Sequence, residues 1–365
     1  MSDKNGAVEI QFNWVFIIIA GSVLLMFFVK IAGDYKSSSE TKIATEVLDK
    51  IGSIASTGQL SSKSSSIIEV KDLQLQSGCE ATSCNEYGCS VRFDFQGMGL
   101  PAPVWMELEP VFASKYIRGG KLIMWSLDWT APYKVSNFLY LTSADHKFVF
   151  VYDLDNPGSE AFAKNAYNKF TENEYVEAVL VEEDDLGNVR YNGEDMIKFI
   201  LFFNPSSNLM PSSEIPASKW DVLFLNGNME SGNVWFSKIQ SGTKVKGESY
   251  QYYGPPMLMG AIFSDSVNDY KCNVRKAMLK YLKMNTIYEK RREMLYNHFS
   301  AMAASNPASI CENFYGVDLE SYIQGLNSSV NSTYDLENAQ EIVDNVDLIE
   351  EKNQQALQKD CPRIY

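Results

Sequence analysis

The sequence predicts an α+β protein: an N-terminal transmembrane helix and stalk, a β-rich domain, an α/β sandwich and a C-terminal antiparallel helical hairpin. Three observations carry that prediction. Ile10 to Val29 is a run of twenty residues without a charge, and period-two apolar alternation begins at Ile67. Residues 267–303 contain neither Gly nor Pro while repeating apolar side chains at helical spacing. The expected parts are a tail at 1–9, the anchor at 10–32, stalk and linker at 33–66, the β-rich domain at 67–145, the α/β domain at 146–264 and the hairpin at 265–365.

At ~1.5 Å per residue, a twenty-residue helix matches the ~30 Å hydrocarbon core of a bilayer. Phe12 and Trp14 stand at one end of the run, where amphipathic rings favour the interface, and Lys30 closes the other. The run is longer than a signal-peptide core and Lys30-Ile31-Ala32 makes no small-x-small cleavage site, so an uncleaved anchor is expected. Two signals bear on direction. Lys4 precedes the run while Lys30, Lys36 and Lys42 follow it, which favours a cytoplasmic body. Six cysteines and two sequons, Asn327-Ser328-Ser329 and Asn331-Ser332-Thr333, favour an extracytoplasmic one. The cysteines carry more weight, because long domains translocate regardless of flanking charge.

Beyond the run, Ile43, Val47 and Ile51 repeat at i, i+4, i+8 and give an amphipathic stalk helix over 39–55. Ser53 to Ser66 is rich in Ser, Thr and Gly and reads as a linker. Strands are expected at Ile67–Gln76, Val91–Phe95, Val104–Leu108, Lys121–Leu127 and Asn137–Leu141, with Gly and Pro marking the turns between them. Phe148–Tyr152 is a continuous apolar run, as in a strand buried on both faces; helix Ser159–Phe170 and strand Val176–Val181 follow. Further strands are expected at Ile197–Phe203, Val222–Leu225 and Val234–Phe236, giving a partly parallel sheet with one crossover helix.

The chain turns helical after Gly254-Pro255-Pro256. Between 271 and 293 lie eight basic residues against two glutamates; the stretch from Asp335 to Lys359 holds seven acids against two lysines. Two long helices of opposite charge are expected to pack antiparallel, with Asp335 as the second N-cap. The cysteines form two groups of three, Cys79, Cys84, Cys89 and Cys272, Cys311, Cys361, so full pairing needs an odd number of bridges between the groups. In an antiparallel hairpin Cys272 meets Cys361, which leaves Cys311 for one of the early three.

Net charge −14 argues against nucleic acid, and two histidines argue against a His-based triad or a His-rich zinc site. An apolar strand ending in Asp153-Leu154-Asp155 resembles the opening motif of haloacid-dehalogenase-type phosphatases, which implies a nucleophilic Asp, an acid/base Asp and magnesium. Pro157 stands where that family carries Thr or Val, and no second acidic motif follows a later strand. Three cysteines at five-residue steps fit disulfides better than zinc, and Glu182-Glu183-Asp184-Asp185 lacks the DxDxDG spacing of a calcium loop. The aromatic segment Trp125–Tyr140 suits core packing before ligand contact. No catalytic, metal or cofactor residue is therefore assigned.

The stretches QFNWVFIIIAG, SLDWTAPYKVSNFLYLTS and CPRIY together resemble uncharacterised single-span proteins of small-genome archaea. That likeness implies a membrane-anchored surface protein, with N-glycosylation at Asn327 and Asn331. A weaker likeness to the N-terminal helix of type IV pilins rests on Gly6 and, five residues on, Gln11, where pilins carry Glu. The expectation is a structural or interaction protein that binds the bilayer through 10–32 and engages a protein partner or its own copies. The alternatives are a membrane-tethered hydrolase using Asp153 and Asp155, and a pilin-like filament subunit.

Overall fold

The computed structural model describes residues 18–34, eight positions between 42 and 53, and residues 63–79, 91–95, 104–106, 110–192, 196–203, 215–240, 243–305 and 311–365. Residues 18–34 are helical (α1), as are the described positions of the expected stalk. The first eight residues of the expected span lie outside the described residues. Among the described residues, no helix is long and apolar enough to cross a membrane.

The first sheet contains β1 (Lys63–Cys79), β2 (Val91–Phe95), β3 (Val104–Met106), β4 (Val111–Ala113), β5 (Tyr116–Thr130) and β6 (Lys134–Ser143), in the order β3-β2-β1-β5-β6-β4. It is antiparallel except for β4, which runs parallel to β6. β1 starts four residues earlier than its alternation predicts, because Lys63 to Ser66 continue the pairing with β5 up to Leu127. These residues are strand and not linker.

The second sheet contains β7 (His146–Tyr152), β8 (Glu177–Glu182), β9 (Met196–Leu201), β10 (Trp220–Gly227), β11 (Ser231–Gln240) and β12 (Thr243–Tyr253), ordered β12-β11-β10-β9-β7-β8. Strands β8, β7, β9 and β10 are parallel; β11 and β12 extend the sheet as antiparallel hairpins. Helix α2 (Pro157–Phe170) crosses from β7 to β8, its N-terminus capped by Asn156, whose side chain accepts the Ser159 N–H. The continuous apolar runs have a direct cause. Phe148, Phe150 and Ile200 face one core, while Val149, Val151, Phe199 and Leu201 face another on the opposite side of the sheet.

Between the sheets lies α3 (Gly254–Phe263), with Met257 to Phe263 all buried. It packs on β4, β5 and β6 of the first sheet, on β12 of the second, and on α2. A helix apolar on every side is a core helix. Gly260 permits the closest approach: a Cβ there would stand 2.8 Å from the Phe112 ring.

The C-terminal part departs from the expected hairpin. Helix α4 (Val267–Ser305, ~58 Å at 1.5 Å per residue) is followed by a second, unforeseen helix, α5 (Val317–Ser328), and then by α6 (Ala339–Gln358). Helix α5 packs on both α4 and α6. Asp335 is not the N-cap of α6. Asn338 takes that role, accepting the Glu341 N–H. Asp335 instead receives a two-pronged bond from Arg275 (2.8 and 2.7 Å) and the Tyr250 hydroxyl (2.9 Å), with Lys271 at 3.6 Å. The basic face of α4 is thus neutralised in part from the α5–α6 connection.

The disulfides follow from this arrangement and correct the expected pairing of Cys272 with Cys361. Cys79 at the end of β1 bonds Cys272 in α4, with Cα atoms 5.8 Å apart. Cys361 bonds Cys311, at 5.6 Å. One bridge therefore links the early and late groups, as parity allows. Cys84, Cys89 and the hairpin expected at 79–89 lie outside the described residues beyond Cys79.

Two measurements test this packing. Gly260→Val forces a branched side chain against Phe112 and should lower unfolding free energy by about 2–3 kcal/mol in denaturant titration. Burial pushes the Asp335 carboxyl up, but the Arg275 and Tyr250 hydrogen bonds outweigh it and hold its pKa below the usual value. Its contribution is full above an unfolded-state carboxyl pKa of about 4 and is lost as pH falls through the lower folded value. Asp335→Asn should cost about 2 kcal/mol at neutral pH and remove that part of the acid limb of the stability profile.

Candidate functional site

Two regions compete for the site. The first is the place that sheet topology favours. From β7 the chain moves to β8 on one side, then to β9 and β10 on the other, so the strand order reverses between β7 and β9. Ligands of open α/β sheets sit outside the carboxyl ends of strands at such a reversal. A cavity of 340 Å³ lies there, lined by Asn156, Phe202, Phe203, Leu225, Asn226, Trp235 and Lys246. The Lys246 ammonium sits 4.4 Å from the Trp235 ring centre, and burial lowers its pKa.

The motif residues Asp153 and Asp155 follow β7 but do not line this cavity. Asp153 accepts the Asp155 N–H at 2.9 Å, and the Asp153 N–H donates to the Ser159 hydroxyl, so the pair builds the turn into α2. The Glu182–Asp185 run begins at the end of the neighbouring β8 and continues into a short 3-10 turn. Partial burial, then the charges of Asp184, Asp185, Asp153 and Asp155, raise the Glu182 pKa. Six carboxyl groups around the start of α2 repel a phosphate that a helix N-terminus would otherwise attract. Among the described residues, no three His, Cys, Asp or Glu side chains are grouped to hold a metal ion.

The second region is a cleft of 420 Å³ where both sheets and the C-terminal helices converge. Its walls come from five places: the end of β5 (Leu127 to Thr130), Lys169 of α2, Glu230 of the β10–β11 turn, the β12–α3 junction (Tyr253 to Pro256), and Val343 and Asp347 of α6. Local chemistry fixes each wall. Asn228 accepts the N–H groups of Glu230 and Ser231 and so shapes the β10–β11 turn. Gly254, at φ +75°, donates its N–H to the Glu230 carbonyl (2.6 Å), a backbone conformation that glycine adopts without strain. Pro255 and Pro256 then start α3 without leaving an unpaired N–H.

The floor is aromatic. Trp129, 1% exposed, stacks on Phe138 (5.4 Å) and meets Tyr253 edge-on (6.4 Å). The indole N–H of Trp129 is buried without a partner among the described residues. Tyr253 is itself 8% exposed. Burial first, then the nearby charges of Glu350, Asp347 and Glu230, raises its pKa far above the ordinary phenol value. A second cleft of 510 Å³ shares Asp347 and continues past Glu350, Glu351, Asn353, Gln354, Arg363 and Tyr365. The two form one furrow with Asp128, Glu230, Asp347, Glu350 and Glu351 set against Lys169 and Arg363. Asp128 is paired with Lys134 at 3.0 Å.

Little of this furrow has a motif. Its acids are scattered from 128 to 351, and the sequence pattern marks Gly254-Pro-Pro only as a break. The aromatic segment Trp125–Tyr140 is core: Trp125, Trp129, Tyr133, Phe138 and Tyr140 are all buried. The CPRIY stretch is pinned as well. Cys361 is bridged, the Pro362 carbonyl accepts from the Tyr315 hydroxyl, and the Ile364 N–H donates to Asn353. The Tyr365 ring packs edge-on to Tyr133 and Tyr288. Comparison of the chain with family models, curated proteins and solved structures gives no match.

Proposed function

We propose that this is a membrane-anchored surface protein whose body stands outside the cytoplasm and works by engaging another protein rather than by catalysis. The observation that carries the reading is the pair of bridges, Cys79–Cys272 and Cys311–Cys361, which persist in oxidising compartments and are rare in reducing ones. The apolar run Ile10–Val29, helical from residue 18 onward, supplies the anchor. The hydrolase alternative draws no support from Asp153 and Asp155, which are engaged in a turn and crowded by like charge. The partner would meet the furrow, and its chemistry follows from the lining: a segment bearing Lys or Arg, attracted by excess carboxylate and received on an aromatic floor.

Compartment is tested on intact cells. A membrane-impermeant amine reagent should label the exposed side chains of Lys121 and Lys164 without lysis. Labelling that requires lysis would place the body in the cytoplasm. The furrow is tested on the full chain in detergent with a fluorescent hexa-arginine peptide. Glu230→Lys with Asp347→Lys should weaken binding roughly tenfold, and raised salt should weaken the parent protein's binding in the same direction. Equal binding by the double variant would remove the furrow from the proposal.

A further inference from the structure

The two sequons lie four residues apart, and the structure treats them differently. Asn327 sits in the last turn of α5, and its side-chain carbonyl accepts a hydrogen bond from Asn285 Nδ2 (2.8 Å). Asn285 is fully buried and also accepts the Tyr133 hydroxyl. The hydroxyl that completes this sequon belongs to Ser329, which is 0% exposed and donates to the Leu326 carbonyl at 2.7 Å. A transferase approaching the folded body could not reach it.

Asn331 opens the turn between α5 and α6. The turn is closed by the Val330–Leu336 bridge, by Asn331 N–H to the Asp335 carbonyl (3.1 Å) and by Tyr334 N–H to the Asn331 carbonyl (3.0 Å), with Tyr334 at φ 62°. Ser332 and Thr333 are exposed. The Thr333 hydroxyl donates to Asn331 Oδ1 at 2.7 Å, and the N–H groups of Thr333 and Asp335 reach the same oxygen at 2.9 Å each. Three donors on the amide oxygen fix the side chain. They leave Nδ2 at the surface with one exposed acceptor, Glu337, at 3.0 Å. The whole turn is held rigid from beneath by the bond between Asp335 and Arg275.

We propose that Asn331 carries an N-linked glycan and that Asn327 does not. The sugar would come from a polyisoprenyl phosphate- or diphosphate-linked oligosaccharide. A bond forms between Asn331 Nδ2 and the anomeric carbon, the lipid phosphate leaves with the electron pair of the broken C–O bond, and the amide proton passes to a base of the transferase. The inference rests on the extracytoplasmic reading, since lipid-linked donors act on the far side of the membrane.

The test uses the full chain expressed in its native membranes, with intact mass and glycopeptide mapping. Ser329→Ala destroys the first sequon at the cost of one local hydrogen bond, and the added mass should persist. Asn331→Gln, and separately Thr333→Val, should remove all of it. A glycan on Asn327, or added mass surviving in Asn331→Gln, overturns the proposal. An unmodified Asn331 overturns it too, and the impermeant amine reagent then tells which premise failed. Lys121 and Lys164 reached from outside mean that the choice of sequon is wrong; lysines reached only after lysis mean that the compartment is.

Discussion

The structure depends on the burial of one short helix. Phe263, at the end of α3, lies within 5.2–6.2 Å, centre to centre, of Tyr140 and Trp125 from the first sheet and of Phe148 and Phe170 from the second sheet and its helix. Each such ring contributes about 1.5–3 kcal/mol by leaving water, and each well-placed pair about 0.5–1.5 kcal/mol more. Neither sheet could cover α3 alone. Met257, Leu258, Ile262 and Phe263 point in different directions around a helix that is buried on all sides from Met257 onward, so both sheets must close on it together. That shared core joins what the chain order presents as successive modules.

Polar ties collect where α3 turns into α4. Asp265 accepts the Lys115 N–H at 2.7 Å, Asp269 the Cys79 N–H at 3.1 Å, and Asn273 the Val111 N–H at 2.9 Å. These satisfy backbone donors of the first sheet that no strand pairs, and they place acids near the start of α4, where the helix dipole favours them. From the second sheet Lys198, 6% exposed, extends its ammonium to the Ser264 carbonyl and to Asp265 at 3.7 Å. Burial pushes the Lys198 pKa down and the Asp265 pKa up, each opposed by the other's charge. Such a pair adds little net stability, but it ties β9 to the α3–α4 junction, whose Asp265 also holds the Lys115 N–H. Cys79–Cys272 closes the same corner covalently.

The elements with strong local signals were legible in the sequence. Alternation found five of the six strands of the first sheet, missing the three-residue β4, and unbroken apolar runs found β7 and β9, because each is buried on both faces. Helix α5 was missed. Its apolar positions, Leu319, Ile323 and Leu326, are few, and what brings it against α6 is Gly325, where a Cβ would meet the Asn345 amide at 2.6 Å. That error led to two others. Without α5, opposite charge on α4 and α6 suggested a hairpin, and the hairpin suggested Cys272–Cys361. Asp335 looked like a cap because Asp favours that position, yet its nearer partner in space is Arg275, sixty residues away in sequence. The furrow was illegible for a plainer reason: its carboxylates come from separate segments that only the fold brings together.

The bridge between β1 and α4 also sets how the body would carry load. Cys79 and Cys272 are 193 residues apart in sequence. Everything between them, including most of both sheets and all of α3, is a covalent loop hanging from a single cross-link. Tension drawn through the N-terminal helix enters β1, crosses at Cys79 into α4, and leaves by the C-terminal helices without stretching that loop. The cross-link also stabilises the unpulled fold by about 5 kcal/mol on chain-entropy grounds. A tether on one side and a partner held on α6 would then be joined by a path through β1, one disulfide and α4, whereas a partner gripping the cleft walls at Leu127–Thr130 or Tyr253–Pro256 would draw on the loop itself.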